Sequence, residues 1–288
     1  MSELRGLMDG VRKTALLAAE AVAKIYHSRN FKVESKGEAG PLTEADLLAN
    51  RICHAGLMEL LPDAGWLSEE TIDDSSRLSK KDVWIVDPID GTREFVEHIP
   101  QFSVSIALSR NGLPLLGAVA LPAENRVIWG GRDLGIHSET YESEADGSIV
   151  KNSFRAREVR FSDRRDLPGS RILVSRSEFR HGKFKDMEKE FRIEPSGSIA
   201  RKLALLAAGE ADMVVSFFPK NDWDICGGTA LILAAGGEVV ELSGGKERRY
   251  DTPDVLSFGL AAGPAGLVSD FLDYFGRRKI IIEKKYLS

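Results

Sequence analysis

The stretch that decides the fold is Val83-Trp84-Ile85-Val86-Asp87-Pro88-Ile89-Asp90-Gly91-Thr92. Its first four residues form a continuous apolar run, which predicts a strand buried on both faces. The run stops at a carboxylate, a proline fixes the turn, and a second carboxylate follows three positions later. Gly91 then lets the backbone approach a ligand closely at the point where a helix begins.

This segment combines the chemistry of a metal site with that of a phosphate site. Asp87 and Asp90 repel each other unless a cation lies between them, and acidic oxygen ligands favour a hard ion such as Mg²⁺. The amides of Gly91 and Thr92 would meet an anion at a helix N-terminus, which suits a phosphate. An Asp-Pro turn followed by a helix-capping Asp is the alternative that these residues alone leave open.

Two further acidic sites occur in similar settings. Ser68-Glu69-Glu70 follows a short predicted strand, and Asp222-Trp223-Asp224 stands at the start of a predicted helix, where an Asp could again be only a cap. Each site is weak evidence alone. Together with the first segment they supply enough carboxylates for two or three Mg²⁺ ions.

Composition excludes several classes of protein. The 288 residues are 43% hydrophobic, and the net charge of −5 shows no single-sign excess typical of a nucleic-acid or polybasic membrane binder. Cys53 and Cys226, the two cysteines, lie far apart, which excludes a disulfide framework or a Cys-ligated zinc site. The N-terminal residues 1–13 are charged throughout and have no apolar core of signal-peptide length, and the longest uncharged stretches, such as residues 225–237, are too short for a membrane span. We therefore expect a cytoplasmic protein without a membrane or nucleic-acid-polymer partner.

Hydrophobic periodicity gives a coarse map of the chain. It predicts helices over residues 4–26, 44–61, 184–191, 198–208, 225–235 and 267–275. It predicts strands over residues 66–68, 83–86, 102–109, 115–120, 126–129, 171–175, 213–217 and 238–242. The acidic stretch 137–152 is interpreted as a surface excursion or a domain boundary, and the tail with Ile280-Ile281-Ile282 as an edge strand or a dimer contact.

Four motifs carry a family resemblance. LTEAD (42–46), LSEE (67–70), DPIDGTREF (87–95) and WDICGGTALILAAGG (223–237) resemble the inositol monophosphatase superfamily of Mg²⁺-dependent, lithium-sensitive phosphatases in order and spacing. The resemblance implies an α/β (α+β) fold, the layered αβαβα sandwich of the inositol monophosphatase and sugar phosphatase type. It implies an α+β part (1–152) and an α/β part (153–288), with the active site in the cleft between them. It also implies a small phosphate-ester substrate and allows a homodimer.

The resemblance assigns roles residue by residue. It implies metal ligands in the side chains of Glu69, Asp87, Asp90 and Asp224 and in the backbone carbonyl of Ile89. It implies catalytic roles for Thr92, Asp46 and Glu69. Thr92, hydrogen-bonded to Asp46, would orient and help to deprotonate the attacking water, and Mg²⁺ would activate that water. The phosphate would be held by Asp90, Gly91 and Thr92.

The residue at position 94 bears on the substrate. Inositol monophosphatases usually carry Asn there, whereas Glu94 is similar to the CysQ-type 3′(2′),5′-bisphosphate nucleotidases, which favours adenosine 3′,5′-bisphosphate. The alternatives are a phosphatase of small polyols (inositol 1-phosphate, fructose 1,6-bisphosphate or histidinol phosphate) and a non-catalytic binding protein on the same fold. Substrate contacts are expected at Lys36, Ser198 and Lys202. A solvated loop lysine and an ordinary Ser cap beside surface basic residues are the competing interpretations.

Overall fold

The computed structural model describes residues 2–37, 40–244 and 247–278. Its helices are α1 (Ser2–Ser28), α2 (Glu44–Leu60), α3 (Thr92–Val96), α4 (Arg176–Arg180), α5 (Ile199–Ala207), α6 (Asp222–Ala234) and α7 (Ala265–Arg278). The first nine strands are β1 (Val33–Ser35), β2 (Pro41–Thr43), β3 (Gly65–Ser68), β4 (Asp82–Asp90), β5 (Ser103–Arg110), β6 (Leu113–Leu121), β7 (Arg126–Gly131), β8 (Gly135–Thr140) and β9 (Arg155–Val159). The remaining strands are β10 (Arg171–Ser175), β11 (Arg192–Ser196), β12 (Met213–Asn221), β13 (Gly237–Glu241) and β14 (Leu256–Pro264).

Two large sheets contain twelve of the fourteen strands that the structure describes. The larger sheet runs β3-β4-β5-β6-β7-β8-β9 and is antiparallel except for the β3–β4 pair. The smaller runs β11-β10-β12-β14-β13, with β11, β10 and β12 parallel and β14 antiparallel to both neighbours. Strands β1 and β2 form a separate antiparallel pair.

The helices and sheets stack in five layers. Helices α1 and α2 pack on one face of the larger sheet, and α5 and α6 fill the space between the two sheets. Helix α7 covers the outer face of the smaller sheet, where Phe271 lies in a third buried cluster. The predicted αβαβα sandwich is confirmed.

Strand β4 shows why the apolar run forms a central strand. Trp84 and Val86 belong to the core under α1 and α2, whereas Val83 and Ile85 belong to the core under α5 and α6. Successive side chains of a strand point to opposite faces, so a strand between two helical layers needs apolar residues at every position. The sequence prediction of a strand buried on both faces is confirmed.

Two sequence predictions are wrong. Residues 181–190 form successive turns instead of a helix, although Phe184, Met187 and Phe191 are buried as the helical spacing requires. Phe184 stacks on Phe217, with ring centroids 4.8 Å apart. Successive turns therefore bury these side chains without a continuous helix. The stretch 137–152 is not wholly a surface excursion, because its first residues belong to β8 and bury Glu139.

Other expectations concern the cysteines, the membrane and the tail. Cys53 and Cys226 are both buried and free. Within the described part of the chain, no helix combines the length and apolar character needed to cross a bilayer. Ile280-Ile281-Ile282 lies outside the described residues.

Candidate active site

The end of β4 carries three of the predicted metal ligands, Asp87, Ile89 and Asp90, to the rim of a cavity of about 250 Å³. The pairing of β4 with β5 shifts register between Asp87 and Asp90, because Pro88 has no amide hydrogen to donate. Gly91 then turns the chain into α3 with φ of +94°. A Cβ at this position would lie 3.1 Å from the carbonyl oxygen of Gln101, so the turn needs glycine both for backbone conformation and for space.

Asp87 is a buried carboxylate whose negative charge has little compensation from neighbouring groups. It is fully buried, and its Oδ1 accepts a hydrogen bond from the Ile89 amide at 3.0 Å. Its Oδ2 is buried without a hydrogen-bond partner. Burial raises the pKa of Asp87 well above its usual value, and the negative charges of Glu69, Asp90 and Asp224 raise that pKa further.

Asp46 and Thr92 meet although 46 residues separate them. Thr92 Oγ1 lies 3.1 Å from Asp46 Oδ1 and 2.9 Å from the carbonyl oxygen of Ile89, so its single proton can be donated to either acceptor. The N-cap of α2 orients the carboxylate, since the amide and hydroxyl of Thr43 donate to Asp46 Oδ2 at 2.7 and 2.6 Å. Burial raises the pKa of Asp46, and the bonds from Thr43 and Thr92 oppose that rise.

Asp90 is tied to the start of α5. Its Oδ2 accepts hydrogen bonds from Ser198 Oγ and the Ala200 amide, both at 2.6 Å. Burial raises the pKa of Asp90, while these bonds and the charge of Lys202 lower it. Lys202 is 2% exposed, and its Nζ donates to the carbonyls of Ser196 and Ser198, so it is not a surface residue.

Asp224 reaches the same cavity from the first turn of α6. Its Oδ2 accepts a hydrogen bond from the Asn221 amide at 2.8 Å, as an acidic residue in the third position of a helix commonly does. Burial raises the pKa of Asp224 well above its usual value, and the charges of Asp90 and Glu69 act in the same direction. The helix start therefore holds one carboxylate oxygen and leaves the other available for a ligand.

Lys36 binds the Glu-Glu pair that follows β3. Its Nζ lies 2.7 Å from both Glu69 Oε1 and Glu70 Oε1. Burial alone would lower the pKa of Lys36, but the bonds to the two glutamates raise it above its ordinary value. The interpretation of Lys36 as a solvated loop lysine is therefore wrong.

The donor set fits a hard divalent cation. Carboxylate oxygens and a backbone carbonyl are the ligands that Mg²⁺ prefers, and the unpartnered oxygen of Asp87 faces like charges that a cation would neutralise. Over residues 2–37, 40–244 and 247–278, no three His, Cys, Asp or Glu side chains already form a metal site. Glu69 Oε1 binds Lys36 and Asp90 Oδ2 binds Ser198, so a metal ion would bind the other oxygen of each carboxylate or displace these partners.

A second cavity of about 550 Å³ shares Asp90, Gly91 and Asp224 with the first. Its wall is rich in cationic side chains, namely Arg93, Arg176, Arg180, Lys202 and Lys220. Arg176 Nη1 donates to Glu94 Oε1 at 2.9 Å. Arg176, Arg180 and Lys220 were not predicted from the sequence. Their places in the sequence could have indicated them, because the two arginines follow strand β10 and the lysine directly precedes Asn221.

Comparisons with known proteins agree with this geometry. The pattern of the inositol monophosphatase family matches residues 5–270. The chain is 31% identical over 242 residues to the 3′(2′),5′-bisphosphate nucleotidase CysQ of Escherichia coli K12, covering 83% of this chain and 92% of that protein. It is 32% identical over 246 residues to a fructose-1,6-bisphosphatase/inositol-1-monophosphatase of Thermotoga maritima, covering 82% and 85%.

Solved structures show the same fold. A Thermotoga maritima IMPase superposes with a TM-score of 0.73 at 28% identity, covering 96% of this chain and 98% of that one. CysQ from Bacteroides thetaiotaomicron superposes with a TM-score of 0.69 at 26% identity, covering 89% and 96%.

Proposed function

Because this chain belongs to the inositol monophosphatase family and is a phosphoric monoester hydrolase, we propose that it removes phosphate from a 3′(2′),5′-bisphosphate nucleotide with Mg²⁺ bound. The observation that carries the metal part is the buried, unpartnered Oδ2 of Asp87 among the charges of Glu69, Asp90 and Asp224. A fold without a cation at this point would carry uncompensated repulsion in its interior.

The first group of site residues would bind the metal. The proposed metal ligands are Glu69, Asp87, Asp90, Asp224 and the carbonyl of Ile89. Bound Mg²⁺ would offset the negative charge of the phosphate and lower the pKa of water in the site.

Thr92 and Asp46 would accept the proton that the attacking water loses. A threonine hydroxyl is a weak base by itself, but the Asp46 carboxylate 3.1 Å away can accept the hydroxyl proton while Thr92 takes one from water. Thr43 keeps Asp46 in the orientation that this relay requires. The amides of Gly91 and Thr92 would hold the phosphate at the start of α3.

The second cavity supports a substrate with a second phosphate. Arg176, Arg180 and Lys220 line it, and it opens directly beside Asp90 and Asp224. A phosphate dianion is matched by arginine side chains, which can bind two of its oxygens at once. This wall and the CysQ relatives favour a bisphosphate nucleotide.

A small-polyol phosphatase is the second candidate. The Thermotoga maritima relative, named for fructose 1,6-bisphosphate and inositol 1-phosphate, favours it at an identity similar to that of CysQ. Fructose 1,6-bisphosphate also carries two phosphates, so the cationic wall alone does not separate the two candidates.

Measuring phosphate release from each ester distinguishes the nucleotidase from the small-polyol phosphatase. We would assay adenosine 3′,5′-bisphosphate, inositol 1-phosphate and fructose 1,6-bisphosphate, each with Mg²⁺ and with a chelator. The proposal predicts the highest kcat/KM for the nucleotide and no turnover in chelator. A preference for inositol 1-phosphate or fructose 1,6-bisphosphate would overturn the nucleotide assignment, and no release from any ester would favour the non-catalytic alternative.

A variant pair tests the cationic wall. Arg180→Met should lower kcat/KM for adenosine 3′,5′-bisphosphate by about tenfold while changing little for adenosine 3′-phosphate, which lacks the second phosphate. Arg192→Met, an exposed arginine on β11 that does not line the cavity, is the matched control. Equal losses on both nucleotides would contradict a role of Arg180 in binding the second phosphate.

A further inference from the structure

A segment far from the carboxylates in sequence crosses the start of α6. We call residues 247–256 the strap. Tyr250 anchors it, because this fully buried side chain donates its hydroxyl proton to Thr229 Oγ1 at 3.0 Å and its amide to the Gly112 carbonyl at 3.0 Å. Arg77 Nη2 donates to the Thr252 carbonyl at 3.1 Å. The strap is therefore fixed to α6 and to the larger sheet.

The strap contacts the first turn of α6 through Asp222. The Asp222 amide donates to the Val255 carbonyl at 2.8 Å, and Asp222 Oδ1 accepts a hydrogen bond from Arg248 Nε at 2.8 Å. Asp222 is fully buried, and its Oδ2 has no hydrogen-bond partner. Arg248 is thus the cation that compensates this buried carboxylate.

The guanidinium of Arg248 is itself held in place. Its Nη1 donates to the Leu256 carbonyl at 3.0 Å and to Glu241 Oε1 at 3.4 Å, and its Nη2 donates to the Asp254 carbonyl. A planar group bound on several sides has little freedom to rotate. The position of Asp222 is therefore set by a rigid group and not by a flexible surface cation.

Asp222 and Asp224 occupy opposite sides of one helical turn. Successive residues of a helix are about 100° apart, so residues two positions apart point about 200° from each other. Asp224 faces the carboxylate cavity, and Asp222 faces the strap. Any shift of the turn at Asp222 therefore moves Asp224 relative to Asp87 and Asp90.

We propose that Arg248 is a positioning residue for metal binding: through Asp222 it fixes the first turn of α6 and so the carboxylate of Asp224. This inference rests on the proposed function, because it concerns Asp224 as a metal ligand. Residues that orient a metal ligand from behind commonly contribute about 10- to 100-fold to metal affinity.

Calorimetric titration with MgCl₂ alone tests the proposal, with no substrate needed. Arg248→Met should weaken Mg²⁺ binding by about tenfold or more. Arg249→Met is the matched control, because Arg249 is exposed and binds Asp251 and the Asn111 carbonyl without touching Asp222. Asp222→Asn keeps an oxygen acceptor for Arg248 and should retain an affinity within about threefold of wild type.

The outcomes separate this proposal from the proposed function. Equal Mg²⁺ affinities in wild type and Arg248→Met would overturn the role of Arg248 alone, as would an equal loss in Arg249→Met. Absence of Mg²⁺ binding by wild type would overturn the proposed function and this inference with it. If Arg248→Met does not fold, Arg248→Lys decides, since lysine keeps the charge but loses the planar fork. An affinity of Arg248→Lys for Mg²⁺ that is about threefold or more weaker than that of wild type supports the proposal, and an affinity equal to that of wild type overturns it.

Discussion

Replacement of Asp87 by asparagine should stabilise the protein in Mg²⁺-free buffer and abolish its stabilisation by Mg²⁺. The asparagine keeps an oxygen to accept the bond from the Ile89 amide. It replaces the unpartnered Oδ2 by a neutral amide that can donate to the neighbouring carboxylates. The substitution thus removes one charge from a crowded set without removing volume from the core.

The expected size follows from the burial of that oxygen. A buried polar atom without a partner costs about 1–3 kcal/mol, and a charged one costs more, so we expect Asp87→Asn to gain about 2 kcal/mol. For a chain of this size the gain raises Tm by roughly 4–8 °C. With Mg²⁺ at about 100 times its Kd, wild type gains about 2.7 kcal/mol that the variant lacks, so the order of stability reverses.

Thermal unfolding with and without Mg²⁺ measures both effects. Asp82→Asn is the matched control, because Asp82 lies on the same strand but is paired with Arg110. Since the folded-state pKa of Asp87 is raised, its charge costs stability at neutral pH, and the gap between variant and wild type should close as pH falls towards about 4. A destabilised Asp87→Asn in chelator, or an unchanged response to Mg²⁺, would refute the reasoning.

Three further predictions concern other parts of the molecule. Thr92→Val should lower kcat by about 10²- to 10⁴-fold with little change in Tm, because it removes the hydroxyl that contacts Asp46; steady-state kinetics with Thr92→Ser as control checks this. Burial lowers the pKa of Lys202 from 10.5 to about 8, so the unfolded chain binds more protons between these values. Urea unfolding from pH 7 to 10.5 should show wild type gaining up to about 3 kcal/mol relative to Lys202→Met, and parallel curves would contradict this. Arg12→Met should cost about 3 kcal/mol in urea unfolding and leave kcat unchanged, because Arg12 forms two 2.6 Å bonds to the buried Glu139; a loss below about 1 kcal/mol would show that the pair contributes little.

Short sequence patterns predicted the helices and strands that depend mainly on neighbouring residues. The run at residues 83–86 is apolar at every position because the strand lies between two helical layers. Helix α2 begins at Glu44, as the hydrophobic pattern predicts, and Thr43 caps it. The family motifs named Asp46 and Thr92 together, and the structure brings them to 3.1 Å, although no spacing rule would join residues 46 positions apart.

Long-range contacts explain what the sequence did not reveal. Glu139 is acidic and yet buried in β8, because Arg12 reaches it from α1 across 127 positions. Ser198 could be predicted as a helix cap, but its bond to Asp90 depends on how α5 packs against the end of β4. Lys202 is buried for the same reason, since only the folded chain places backbone carbonyls around its ammonium group.

Anomalous X-ray diffraction from crystals soaked in Mn²⁺, used as a substitute for Mg²⁺, tests the central claim most directly. We predict at least one strong peak in the cavity at the end of β4, about 2–2.5 Å from carboxylate oxygens of Asp87 and Asp90. We also predict that Glu69 or Asp224 completes the ligand set. Peaks confined to other parts of the surface, with the Asp87 oxygen still without a partner, would contradict the claim that these carboxylates form the metal site.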